Sequence, residues 1–201
     1  MNGQDPNTTF EFDIHRSIIL AHYARFWSIP RTRYSVVLHD SSPLEVYSFP
    51  PENEEAAYRF ATVGASAKHA EAPSRPHWEL FLAIPSNLCG ATEQSVLEFL
   101  ADLAAYGVFG KTEYNRGILM PEVPSIPSSW PTRTIAFDLP LCEPENFTPI
   151  HVGEFHIDLL WVVLVHTSEQ QLIQERGMSV LYTQCDEQGW HPTDPRRPPL
   201  R

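Results

Sequence analysis

His77-Trp78-Glu79-Leu80-Phe81-Leu82-Ala83-Ile84, closed by Pro85, is the stretch on which the fold turns. Its aromatic and branched residues, ended by a proline, read as a strong strand. Upstream, residues Gly64 to Pro76 are small, polar and proline-bearing, which predicts a loop long enough to carry function. Downstream, Thr92 offers an N-cap to a helix whose Val96, Leu97, Leu100, Leu103 and Ala104 form one apolar stripe, with a stop expected near Gly107.

Working outward, Asp13 is placed to cap a helix from Ile14 to Trp27, which Ile29-Pro30 ends. Two short strands, Tyr34 to His39 and Leu44 to Phe49, flank the turn Asp40-Ser41-Ser42-Pro43. After Phe49-Pro50-Pro51, the acidic run Glu52-Asn53-Glu54-Glu55 is expected to be a solvated loop. A third strand follows, with Tyr58, Phe60 and Thr62 on one face. Residues Pro121 to Pro131 hold four prolines and three serines and predict a connection without periodicity.

The second half begins with a strand from Thr132 to Leu139. A loop from Pro140 to Pro149 carries Cys142, Glu143 and Glu145, and one long strand runs from Gly153 to His166. Ser168 and Gln171 fit a capping box, with Gly177 as the helix stop. Met178 to Cys185 fits strand or helix. The proline-rich, basic stretch from Gly189 to Arg201 reads as a flexible tail outside the fold. The sum is an α+β domain over residues 1–188: a mixed, largely antiparallel sheet with about three helices packed on it.

Composition narrows the function classes. The chain has 201 residues, 42% of them hydrophobic, and a formal net charge of −11. Such a charge opposes nucleic acid as a partner, because counterion release needs a basic face. The longest apolar run, Ile157 to Val165, is broken by Asp158 and falls well short of the roughly 20 residues that span a bilayer. A polar, acidic start without an apolar core does not read as an export signal. Three widely spaced cysteines, Cys89, Cys142 and Cys185, without Cys-x-x-Cys, read as free thiols in a reducing cytoplasm.

No residue set assembles a known catalytic motif. His151-Val152-Gly153-Glu154-Phe155-His156 departs from zinc-peptidase spacing. On one continuous strand the two histidines would also face opposite sides. His69 and His77, with Glu71 and Glu79, match no ligand spacing, so no metal is expected. Gly64-Ala65-Ser66-Ala67-Lys68 is neither Gly-x-Ser-x-Gly nor Ser-x-x-Lys. Cys89 lies near a helix start, where a thiol pKa can fall, but a buried thiol is the plainer explanation. Nine glycines never assemble a nucleotide-cradling loop, so no cofactor is expected. Trp78 and Trp161 are expected in the core, and Trp130 and Trp190, among prolines, at the surface.

Three stretches resemble the Suppressor of fused domain family. Ala61-Thr62-Val63-Gly64-Ala65-Ser66 is a strand running into a Gly-x-Ser turn, and His77 to Pro85 is similar to the family's Glu-Leu-Phe strand closed by a proline. Phe147-Thr148-Pro149-Ile150, Phe155-His156-Ile157, Leu164, Thr167-Ser168-Glu169-Gln170 and Gly177 resemble its second strand-helix unit, departing at Gln170, where the family often has an acid. The Val96 to Tyr106 helix lies between, as in the family. The likeness spans about Tyr34 to Glu187 and lacks the animal regulator's extra C-terminal domain, so Hedgehog-type signalling is not implied.

What the resemblance implies is a non-catalytic binding module akin to short bacterial members thought to be immunity proteins that neutralise toxins. The acidic charge suits a basic partner such as a nuclease toxin. The partner face expected from the loops comprises Glu52, Glu54, Glu55, Lys68, His69, Glu71, Arg75, Glu143 and Glu145. Two alternatives are an intracellular adaptor that binds an extended peptide at a strand edge and a small metal-dependent hydrolase using Ser66, His69, His77 or the His151 to His156 segment.

Overall fold

The computed structural model describes residues 6–38, 42–54, 56–69, 77–109, 113–121, 123, 125–153 and 155–200. The helices are α1 (Pro6–Trp27), α2 (Ala65–His69), α3 (Glu93–Phe109), α4 (Gln170–Arg176) and α5 (Ser179–Glu187). The strands are β1 (Thr32–Val37), β2 (Pro43–Phe49), β3 (Tyr58–Val63), β4 (Trp78–Ile84), β5 (Leu119–Met120), β6 (Thr134–Asp138), β7 (Ile150–Val152) and β8 (Phe155–Val165). The sheet order is β1-β2-β3-β4-β8-β6-β5, with β7 paired to β8.

All the pairings are antiparallel except β4 with β8, where Trp78 to Phe81 run beside Asp158 to Trp161 in parallel. That central pair is covered on both faces, as near-continuous apolar strands require. On one face α3 packs Val96, Leu97, Leu100 and Ala104 against Tyr58, Phe60, Leu80, Leu82 and Val162. Against the other, α1, α4 and α5 bring Ile19, Tyr23, Trp27, Ile173 and Leu181 onto Ala61, Val63, Phe81, Trp161 and Val163. The α+β, largely antiparallel fold is as expected, with five helices among the described residues where about three were expected.

Local chemistry explains the differences. Thr92 caps α3 as expected, its Oγ1 accepting from the Ser95 amide at 3.1 Å. The helix continues through Gly107 to Phe109, because the missing Cβ admits the Tyr114 ring. Helix α1 begins at Pro6, so Asp13 lies inside it and pairs with Arg16 at 2.9 Å. The capping box after β8 is His166 with Glu169 rather than Ser168 with Gln171. Gly177 ends α4 as expected, and Ser179 to Glu187 is helix. Trp78 and Trp161 are core, as expected. Trp130 is a correction: it is fully buried, with Nε1 donating to the Leu88 carbonyl at 3.1 Å and its ring edge-on to Phe99.

Residues 189–200 form no helix or strand, yet the expected tail outside the fold is not what the structure places there. Arg197 is buried against Glu169, and His166 Nε2 lies 2.7 Å from the Arg197 carbonyl oxygen.

Candidate functional site

β3 separates two ends of the sheet, and the expected partner face divides between them. At its start lie exposed Glu52 and Glu54, with the Glu54 carbonyl accepting from Ser86 Oγ at 2.9 Å. Glu143 is at this end too. Its carboxylate is nearly buried, with Oε1 accepting from Arg59 Nε at 2.5 Å and Oε2 from Trp27 Nε1 at 3.0 Å. Glu145 is exposed on the turn Glu145–Phe147. Lys68 and His69 close α2, beyond the other end of β3, roughly 17 Å away at about 3.3 Å per residue. Glu55, Glu71 and Arg75 lie outside the described residues, and α2 occupies part of what was expected as a plain loop.

A cleft of about 370 Å³ opens at the Glu54 end. Glu54, Arg59, Cys142, Glu143, His191 and Asp194 line it, so it joins two of the expected loops to the C-terminal stretch, which sequence reasoning had set aside. Burial, then the Glu143 carboxylate, pushes its Cys142 thiol up to about 12, which favours the protonated form at neutral pH. Cys89 is likewise pushed up to about 12 by burial and by Asp194, whose Oδ1 lies 3.2 Å from Sγ. The plainer reading of Cys89 as a buried thiol therefore holds, and its turn does not activate it.

Ser66 is placed in a setting that no motif signalled. Its Oγ lies 2.6 Å from Glu79 Oε1 and 2.7 Å from His15 Nε2. The Gly64 and Ser66 amides also donate to Oε1, at 2.9 and 3.0 Å, and Thr62 Oγ1 donates to Oε2. In a serine triad the histidine stands between hydroxyl and carboxylate and takes the hydroxyl proton. Here the serine contacts the carboxylate directly and is 1% exposed. The set is a clamp that satisfies a buried carboxylate and ties α1 and α2 to β4. A lone Glu79 inside an apolar strand was the one available signal for it.

Among the described residues no three His, Cys, Asp or Glu side chains come together as metal ligands. None of the described helices is long and apolar enough to cross a membrane. His151 and His156 do not face opposite sides, because the expected single strand is a hairpin, β7 with β8, in which the two are direct partners.

With this geometry in place, residues 40–198 match the family model described as Suppressor of fused protein. The chain belongs to the Suppressor of fused family. The match extends into the C-terminal stretch, beyond the Tyr34 to Glu187 likeness legible in the residues. A Suppressor of fused homologue from Neisseria gonorrhoeae superposes with a TM-score of 0.72 at 16% identity, over 94% of this chain and 98% of that one. A crystal structure of the Sufu–Fu complex gives 0.67 at 11%, with 92% of each chain covered. Drosophila Suppressor of fused gives 0.65 at 11%, over 92% of this chain and 51% of that one. No curated protein matches the chain. At such identities the likeness shows the fold alone.

Proposed function

We propose that this chain is a non-catalytic protein-binding module of the immunity type, acting in the cytoplasm, that occludes a basic toxin domain. The observation that carries the reading is the cleft beside β3, where Glu54 and Glu143 meet Asp194. Arg59 already counters Glu143, so the charges left to steer a partner are those of exposed Glu52, Glu54 and Glu145. A net charge of −11 reinforces that field and raises the association rate with a basic surface. The face extends in this proposal to Lys68 and His69, beyond the far end of β3, and to Glu55, Glu71 and Arg75, which lie outside the described residues. Family membership supports binding over catalysis, since one solved relative is a complex of Sufu with Fu.

The test uses a basic toxin domain encoded beside this chain. Reversing Glu52, Glu54 and Glu145 together to lysine should slow association roughly tenfold or more at low salt, with little effect at high salt. Association unchanged by the reversal would remove the acidic end from the interface.

A second reading, an adaptor that binds an extended peptide, is favoured by β1. Among the described residues that strand pairs only with β2, and its residues alternate between half-buried and exposed, with Val37 73% exposed. An unpaired edge of this kind accepts an added strand. Proline substitution of Ser35 would block such addition without touching the acidic end.

A further inference from the structure

The β7–β8 hairpin pairs Ile150 with Ile157, His151 with His156, and Val152 with Phe155. Directly paired residues share a face, and faces alternate along each strand. Ile150 and Ile157 are each 2% exposed, so that pair points into the core. His151 and His156 therefore stand together on the solvent face, and both are exposed. The last pair, Val152 with Phe155, leaves a two-position gap in sequence, with Gly153 at φ 62°. In a hairpin with a two-residue connection, the pair flanking the loop is the hydrogen-bonded kind. The next pair inward, here the two histidines, is the other kind, with Cα atoms about 4.5 Å apart and side chains at their closest.

We propose that His151 and His156 form a two-imidazole chelate for a borderline divalent ion, zinc or nickel. Imidazole nitrogen suits these metals, and two such ligands at about 2.0–2.1 Å from one tetrahedral ion lie roughly 3.3 Å apart. Neighbouring side chains of a non-hydrogen-bonded pair reach that separation by rotation about χ1 and χ2 alone. The hairpin is held in place before any ion arrives. The Phe155 ring lies edge-on to His77 at 5.8 Å, and Leu159 donates its amide to Thr148 Oγ1 at 3.2 Å. Ordering the ligands therefore costs little backbone entropy. Asp158, two residues along the same strand, shares the solvent face, but no group of three ligands forms among the described residues. The site is thus an open chelate that leaves the ion's remaining positions to water, unlike a closed structural zinc site.

Calorimetric titration of the intact protein with zinc, and separately with nickel, tests the site. One ion should bind per chain with micromolar affinity, and binding should disappear in acid, because only neutral imidazole ligates. His151→Ala and His156→Ala should each weaken binding roughly tenfold or more, since either removes the intramolecular second ligand. Both hairpin histidines are exposed, so circular dichroism should show the two variants folded. No binding by the parent below millimolar metal, or equal binding by the single variants, would overturn the proposal.

Discussion

Arg197 meets Glu169 with both ends of its guanidinium, Nη1 lying 2.6 Å from Oε1 and Nη2 2.7 Å from Oε2, with each side chain 1% exposed. The Leu200 and His166 amides donate to the same carboxylate, at 2.8 and 2.9 Å. Removing one partner of a buried pair leaves the other charge stranded, which costs about 3–5 kcal/mol, whereas replacing both by apolar residues costs far less. Arg197→Ala should therefore lower unfolding free energy in urea by that amount. Arg197→Met combined with Glu169→Leu should lose distinctly less. Equal losses would mean that the ion pair is not what holds the C-terminal stretch.

That clasp also marks where sequence stops informing. β4 and α3 were legible because the first is an apolar run bounded by a proline and the second a 3.6-residue stripe behind Thr92. Arg197, among prolines and basic residues, carries the composition of a solvated tail, and its partner lies 28 positions away. Trp130 misleads for the same reason, since local prolines say nothing of the Phe99 ring that receives it. The hairpin at Gly153 was hidden inside a long β-prone run, which reversed the inferred facing of His151 and His156. The acidic loops were legible from charge alone, but the cleft between them required residues 191–194, which no periodicity connects to Glu54.

Glu93 sits at the start of α3 under Ser48, whose Oγ donates to Oε1 at 2.6 Å, with Arg31 on Oε2. Burial raises its pKa, but hydrogen bonds from Ser48, Thr32, Arg31 and Tyr58 outweigh it and hold the carboxyl at about 2. A depressed folded pKa means that the contribution is complete above the unfolded value, about 4.3. It is lost as pH falls from there to about 2. Glu93→Gln should be less stable than the parent at pH 7, with the gap closing toward pH 2. A constant gap across urea midpoints from pH 7 to 2 would contradict the network.

His15 acts in the same direction at a higher pH. Burial lowers its pKa, the Glu79 carboxylate opposes this, and His77 adds to the lowering. The unfolded chain therefore takes up the proton more readily, so stability falls as pH drops below about 6.5. His15→Gln keeps a group able to reach Ser66 Oγ and removes the charge change. Its thermal midpoint should vary less between pH 7 and 5.5 than that of the parent. Some dependence should persist from His22, which burial also lowers.

Gly107 sets two known effects against each other. Inside a helix, alanine is favoured over glycine by about 1 kcal/mol. A Cβ at this position, however, would lie 2.4 Å from Tyr114 Cε2 and 2.8 Å from Cδ2. The ring has nowhere to go: it stacks on Phe137 at 4.3 Å, abuts Trp78 at 5.1 Å, and its hydroxyl donates to the Leu103 carbonyl at 2.9 Å. Overpacking of this kind costs about 1–3 kcal/mol, which exceeds the propensity gain. Gly107→Ala should therefore destabilise the protein despite improving the helix. Tyr114→Leu clears the ring, so adding Gly107→Ala to that variant should be neutral or stabilising. A double-mutant cycle in urea reads the sign directly, and a stabilising Gly107→Ala in the parent would show that Tyr114 is not wedged against α3.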